Sequence, residues 1–244
     1  MPTERIQKVL AAAGFGARRT CEQLVLDGHV SVNGEVVRAL PVLVDPRRDR
    51  ITVDRRPVRA ERLVYYILHK PRHVYCTHHD PAGRKRAVDL LGGVRERVFP
   101  VGRLDADATG LLLMTNDGAL AERLTHPRYG IPKTYRAEVD GCPSPQMLQR
   151  MRGGVWLSDG RTAPAEIRLV HKQRDKAVIE ITLREARNRE VRRVLAKLGH
   201  RVRRLTRIRM GKLSIRGLPA GAFRPLTRAE VEYLNHLAER GQAR

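Results

Sequence analysis

The chain encodes an α+β protein in two unequal domains, a small helix-helix-hairpin unit followed by a larger unit of strands with flanking helices. Three observations lead there. At 244 residues and 41% hydrophobic content, the chain has apolar material for a globular fold and more length than one small core uses. The first sixty residues carry two short helical repeats and then a hairpin signal, whereas the remainder mixes apolar strand-like runs with amphipathic stretches. Between them lies a short charged segment with a proline, which fits a linker.

In the first domain Ile6, Val9, Leu10 and Ala13 recur at helical spacing up to Gly14, whose permissive backbone suits a helix stop. A second short helix carries Cys21, Leu24 and Val25 and ends at Gly28, and Arg18 and Arg19 at its start are placed to meet phosphate. Val30–Val32 and Glu35–Val37 flank Asn33-Gly34, the strongest short signal for a two-residue hairpin turn, and Ile51–Val53 supplies another strand. Arg55 to Arg62 reads as linker; the first domain spans 1–58, the connector 59–62 and the second domain 63–240.

The second domain opens on a strand at 63–68, whose end at Lys70-Pro71 starts a polar loop through Thr77, Asp80 and Arg84. Further strands are expected at 111–115, 135–139 and 179–183, the last two with alternating burial. Helices are expected at 118–124, at 189–198 burying Val191, Val194, Leu195 and Leu198, and after the capping box Thr227/Glu230. Gly241 to Arg244 reads as a frayed end.

Charge narrows the partners. The chain holds 48 Lys and Arg against 26 Asp and Glu, a formal +22, which points to a polyanion, nucleic acid before membrane surface. No apolar run approaches the ~20 residues that cross a bilayer, and Met1 to Arg5 does not read as a secretory leader, so a cytoplasmic protein is expected. Three widely spaced cysteines indicate neither a disulfide framework nor a zinc site, and the nine histidines read as polar or phosphate-facing groups rather than metal ligands.

Against this background three segments carry chemistry. Asp105 and Asp107 lie two apart in a loop bounded by Gly102 and Gly110, just before an apolar strand. An acid there adds nothing to polyanion affinity, so it reads as chemical, with an Asx-turn or helix cap as the structural alternative. Lys133-Thr134-Tyr135 puts a ring at a strand start in a chain only 4% aromatic, as core or as a stacking platform for an exposed base. Ala186 to Arg193 opens a helix with Asn188 as its N-cap, and its guanidinium groups are suited to pair with a carboxylate. The run Arg201, Arg203, Arg204, Arg207, Arg209 and Lys212 reads as a phosphate-binding face.

These segments resemble known families. Residues 5–14 with 28–34 look like the alpha-L RNA-binding motif, which implies RNA docking without catalysis. Lys70-Pro71, Asp80 to Arg84, Gly102-Arg103-Leu104-Asp105 with Thr109 to Leu112, Lys133-Thr134-Tyr135, Asn188 to Arg193 and Arg207-Ile208-Arg209 together resemble the Rsu-type pseudouridine synthases that act on ribosomal RNA. That resemblance implies a mixed, largely antiparallel sheet with flanking helices and a basic cleft. It implies Asp105 as the catalytic acid, Tyr135 as the residue stacking on the target base, and Arg192 as the partner of Asp105. RNA contacts are expected from Arg18, Arg19, Lys70, Arg84, Arg103, Lys133, Arg187, Asn188, Arg189, Arg193, Arg207 and Arg209.

The implied reaction is isomerisation of a uridine in ribosomal RNA, of the large subunit (23S) from the basic C-terminal segment and the Asn-Arg-Glu-Val-Arg-Arg form, without metal or organic cofactor and by a monomer. The competing readings are a ribosome-associated RNA-binding protein or chaperone without catalysis, and a metal-dependent hydrolase holding its ion on Asp105 and Asp107. Two positions depart from the family pattern: His73 stands where Lys-Pro-x-Gly has glycine, and Ala186 where Glu-Gly-Arg-Asn has glycine.

Overall fold

A computed structural model describes residues 3–240; the frayed end expected at 241–244 and the first two residues of the N-terminal segment lie outside them. The chain divides into two compact units, one reaching to Val64 and joined by Arg95–Arg97, the other running from Tyr65 to Val94 and onward from Val98.

In the first unit, helices Ile6–Ala12 and Arg18–Leu26 pack Ile6, Leu10, Cys21 and Val25 against Val30, Val44, Ile51 and Val53, all of them buried. Asn33 and Gly34 both take positive φ, 53° and 94°, as a tight hairpin turn demands, and join Val30–Val32 to Glu35–Val37 in register. A four-stranded sheet results, in the order Glu35–Val37, Val30–Val32, Ile51–Val53, Arg56–Pro57. The last strand corrects the linker expected from Arg55: Arg56 pairs with Val53, and the Val58 N–H donates to the Ile51 carbonyl. Charge and a proline do not exclude an edge strand, because one side of an edge needs no donor.

The second unit is built on a nine-stranded sheet. Its main path runs Glu166–Lys172, Lys176–Leu183, Lys133–Asp140, Val202–Met210, Thr109–Thr115, Tyr65–Lys70, Phe223–Pro225. Neighbours are antiparallel except Thr109–Thr115 beside Val202–Met210, so the sheet is mixed and largely antiparallel. Leu111, Leu113, Ile67 and Met210 meet Leu120 and Leu124 of helix Gly118–Thr125 and Leu234 and Ala238 of helix Arg228–Arg240 in one buried cluster. The Thr227/Glu230 capping box forms: Glu230 N–H donates to Thr227 Oγ1 and Thr227 N–H to Glu230 Oε2.

The fold corrects one member of the arginine-rich run after residue 200, Arg207. Val202–Met210 is an interior strand that buries Leu205, Arg207 and Met210, while Arg201, Arg203, Arg204, Arg209 and Lys212 stay exposed. A register shift opposite Thr134/Tyr135 leaves Ile208 as an extra residue, so Arg207 points inward and Arg209 outward although they are two apart. The opening strand is Tyr65–Lys70 rather than 63–68, and it carries Lys70 to complete burial.

Candidate active site

Asp105 sits in a turn closed by the Ala108 N–H on its own carbonyl, immediately before the buried strand Thr109–Thr115. Other contacts hold this turn. The His73 N–H donates to the Ala106 carbonyl at 2.6 Å, and the Lys70 ammonium donates to the carbonyls of Pro71 and Val74 and, at 3.4 Å, to that of Ala106. His73 holds the left-handed conformation, φ 59°, that a glycine would adopt freely at this position. Behind the turn, Gly110 approaches the Arg207 backbone so closely that a Cβ would stand 2.3 Å from the Arg207 carbonyl oxygen.

Lys70, Lys133 and Arg207 are therefore corrections to the expected RNA contacts. All three are buried, at 0%, 7% and 2% exposure, and so are not free to meet a phosphate. Arg207 Nε donates to the Leu111 carbonyl and ties two strands together. Burial lowers the pKa of Lys70, opposed by Cys76, Asp107 and Asp105; burial, and then Arg207, lower that of Lys133 to about 8, opposed by Glu190.

The helix that faces the acid begins one residue later than expected. Glu190–Lys197 is preceded by Arg189 in the left-handed region, φ 48°, so Arg189 and not Asn188 is the N-cap, and Asn188 is exposed. This geometry carries Arg189 Nη1 to Asp105 Oδ2 at 3.0 Å. Arg192 lies one turn further, with its side chain 12% exposed; it ion-pairs with Asp107 at 2.8 Å and donates to the Val202 carbonyl, while its Nε stands 4.0 Å from Asp105. The expected Asp105–Arg192 partnership is thus divided: Arg189 holds Asp105 and Arg192 holds Asp107.

Tyr135 is half-buried beside the register shift and lines a cavity of about 80 Å³ with Asp105, Arg103, Arg189, Glu185 and Glu190. On its other side Asp105 borders a larger cavity, about 510 Å³, with Arg84, Arg103, Tyr75 and Arg189. Arg84 is partly committed there, ion-paired with Asp80 and stacked over the Tyr75 ring at 4.1 Å. Arg187 and Arg193 instead brace residues 158–161 through Asp159, Ser158 and three backbone carbonyls. Arg209 is exposed at 3.8 Å from Glu180. Arg18 and Arg19 are exposed in the other unit.

An aspartate in hydrogen-bonded contact with a guanidinium, across a small cavity from a tyrosine, on a sheet fringed by arginines, fits a nucleoside chemistry. Comparison with known proteins decides the family. Residues 64–197 match the RNA pseudouridylate synthase family and residues 4–46 match the S4 domain. The chain belongs to the RNA pseudouridylate synthase family.

A Bacillus subtilis ribosomal large subunit pseudouridine synthase B is 44% identical over 98% of both chains, and an Aquifex aeolicus RNA pseudouridine synthase of uncharacterised role is 45% identical over 94% of this chain and 93% of its own. A solved pseudouridylate synthase superposes with TM-score 0.69 at 27% identity, over 94% of this chain and 99% of the other. The reaction of this pseudouridylate synthase is therefore the isomerisation of uridine to pseudouridine in RNA. Among its described residues no cluster of three or more His, Cys, Asp or Glu is arranged to hold a metal, and no helix is long and apolar enough to cross a membrane.

Two residues of the synthase's cavity lie within the family motifs but are not among the expected site residues. Glu190 is 4% exposed with Oε1 unpartnered, and its carboxyl meets that of Glu185, which accepts from Arg187 Nε and the Ala163 N–H. Burial, then the Glu185 carboxyl, push the Glu190 acid up to about 8. For Glu185 burial acts upward, but the hydrogen bonds from Arg187, Glu190 and Ala163 hold it below the usual range. The proton of the pair thus belongs to Glu190. Helical spacing carried the signal: Glu190 is four residues before Val194, on the same apolar stripe.

Proposed function

We propose that this synthase isomerises a specific uridine of large-subunit, 23S ribosomal RNA, in the cytoplasm and as a monomer. Asp105 acts at the ribose, Tyr135 stacks on the flipped base and Arg189 orients the Asp105 carboxylate. The cavity shared by Asp105, Tyr135 and Arg189 carries this reading, because it brings the Arg189-paired carboxylate and the ring to the wall of one pocket. The names of the Bacillus subtilis and Vibrio cholerae relatives, both large-subunit enzymes, support the choice of subunit.

The chemistry asks little more of the protein. The bond from ribose C1′ to N1 breaks, the uracil turns in place, and C1′ bonds to C5; C5 gives up its proton and N1 takes one. Atoms and oxidation state balance, so the reaction needs no external oxidant, reductant or group donor. Asp105 serves either by attacking C1′ or by taking the C2′ proton to form a glycal, and deuterium at C2′ separates these routes, since only the second removes that label. Unstacking the uridine costs a few kcal/mol, offset by stacking on Tyr135 and by phosphate contacts.

The test is Asp105→Asn on 23S rRNA transcripts. Pseudouridine formation vanishes while RNA affinity changes by less than about twofold, since the substitution is isosteric and removes no cation. Equal modification by the variant, or no modification of 23S rRNA by the parent protein, overturns the reading.

A further inference from the structure

The single tryptophan of the chain stands in solvent. Trp156 is 66% exposed, more than any other large apolar side chain among the described residues. It lies on a small hairpin outside the main sheet, Trp156–Leu157 paired with Gly160–Arg161. Single exposed leucines are ordinary on protein surfaces, but an indole carries far more apolar area and, uncovered, leaves that burial unrealised.

The hairpin beneath it is immobilised. Val155 and Thr162 at its base are buried; the Thr162 N–H donates to the Val155 carbonyl, and the Val155 N–H donates to Thr162 Oγ1. Arg187 donates to the carbonyls of Asp159, Gly160 and Arg161, and Arg193 to Ser158 and Asp159. Both arginines flank Arg189, which reaches Asp105, so hairpin and catalytic acid are fixed to the same seven-residue stretch, Arg187 to Arg193. Trp156 pairs directly with Arg161 across the hairpin, which sets the indole and an exposed guanidinium on one face, and Arg161 is itself held by a bond to the Gly153 carbonyl. A rigid aromatic face beside a fixed cation, on a chain of net charge +22, has the makings of a stacking platform for an unpaired base with its phosphate on the arginine.

We propose that Trp156 and Arg161 form a second RNA site, which stacks an unpaired nucleobase of the same RNA that presents the target uridine. The occupant is single-stranded RNA rather than a protein because the patch is one indole beside the exposed guanidinium of Arg161 on a chain of net charge +22. The inference rests on the reading of the chain as an enzyme acting on folded ribosomal RNA.

Tryptophan emission reports on this residue alone. Titration with single-stranded oligouridylate quenches it, whereas a fully paired RNA duplex of equal length and inorganic polyphosphate leave it unchanged. Trp156→Ala weakens binding of a loop-containing 23S fragment by about 5- to 150-fold, the range for loss of one stacked base, and Trp156→Phe restores most of it. Emission that is silent under saturating oligouridylate, equal quenching by polyphosphate, or unchanged affinity in Trp156→Ala overturns the proposal. Pseudouridine is assayed on the same fragment. Modification with a silent indole defeats the second site and spares the enzyme reading, while a quenched indole without modification does the reverse.

Discussion

The carboxyl groups of Glu185 and Glu190 meet at the wall of the cavity that holds Asp105 and Tyr135. Two ionised acids do not share such a contact, and the neighbours decide which is neutral: Glu185 has Arg187 and the Ala163 N–H, whereas Glu190 is buried with one oxygen unpartnered. Lys133, Arg187 and Arg193 face Glu190, yet burial outweighs them.

Glu190→Gln should therefore stabilise the protein in a pH-dependent way. The folded acid titrates near pH 8 against 4.5 for an ordinary glutamate. Folded and unfolded states bind the same proton below pH 4.5, so the variant and parent match there. Between 4.5 and 8 the folded parent retains a proton that the unfolded chain has lost, and parental stability falls as pH rises. Urea unfolding at pH 4.5 and 8 should show the variant's advantage growing from near zero to on the order of 1–3 kcal/mol, the scale of a poorly paired buried polar group. An advantage already complete at pH 4.5 would contradict a protonated Glu190.

The division of labour between Arg189 and Arg192 is measurable by double-mutant cycles. Asp105→Asn with Arg189→Ala should show coupling of about 0.5–1 kcal/mol in urea unfolding, as expected for a partly exposed ion pair. Coupling of Asp105 to Arg192, across 4.0 Å, should be smaller than coupling of Asp107 to Arg192, across 2.8 Å. The reverse order would restore Arg192 as the main partner of Asp105.

Gly110→Ala should be among the most damaging single substitutions in the sheet. A Cβ there meets the Arg207 carbonyl oxygen at 2.3 Å and nitrogen at 2.6 Å, both backbone atoms, at φ 113°. Thermal unfolding should report a loss of roughly 2–4 kcal/mol, from steric overlap added to an unfavourable backbone. Activity should fall with it, because the same strand carries the Asp105 turn.

Lys70→Met keeps the length of the side chain and removes its ammonium. The carbonyls of Pro71, Val74 and Ala106 then lose a shared donor. We expect a loss of about 1–3 kcal/mol in stability and a drop in turnover without a matching loss in RNA affinity, because the buried residue orders the Asp105 turn and is shielded from RNA. A variant with normal turnover and weakened RNA binding would favour a direct contact instead.

Much of this architecture was legible in the residue order. Asn33-Gly34 announced its hairpin, Thr227 and Glu230 their cap, and Val191, Val194 and Leu195 their helix, because turns, caps and amphipathic stripes are local and depend on neighbours within a few positions. The strand Val202–Met210 was hidden by its arginines, and Glu166–Lys172, an edge strand exposed along most of its length, lacked the clean alternation that marks a half-buried strand.

Local chemistry thus determined that this chain has a basic two-domain α+β fold with an aspartate in a tight turn before an apolar strand. Which cations stand near that aspartate was decided only in three dimensions. Lys70, Lys133 and Arg207 look like surface cations in the sequence, yet strand pairing and a bulge at Ile208 turn them into the interior. A left-handed residue at 189 then brings a different guanidinium to Asp105 from the one the family resemblance implied. Burial and long-range register depend on contacts separated by tens of residues, and such contacts leave no mark in the spacing of any one segment.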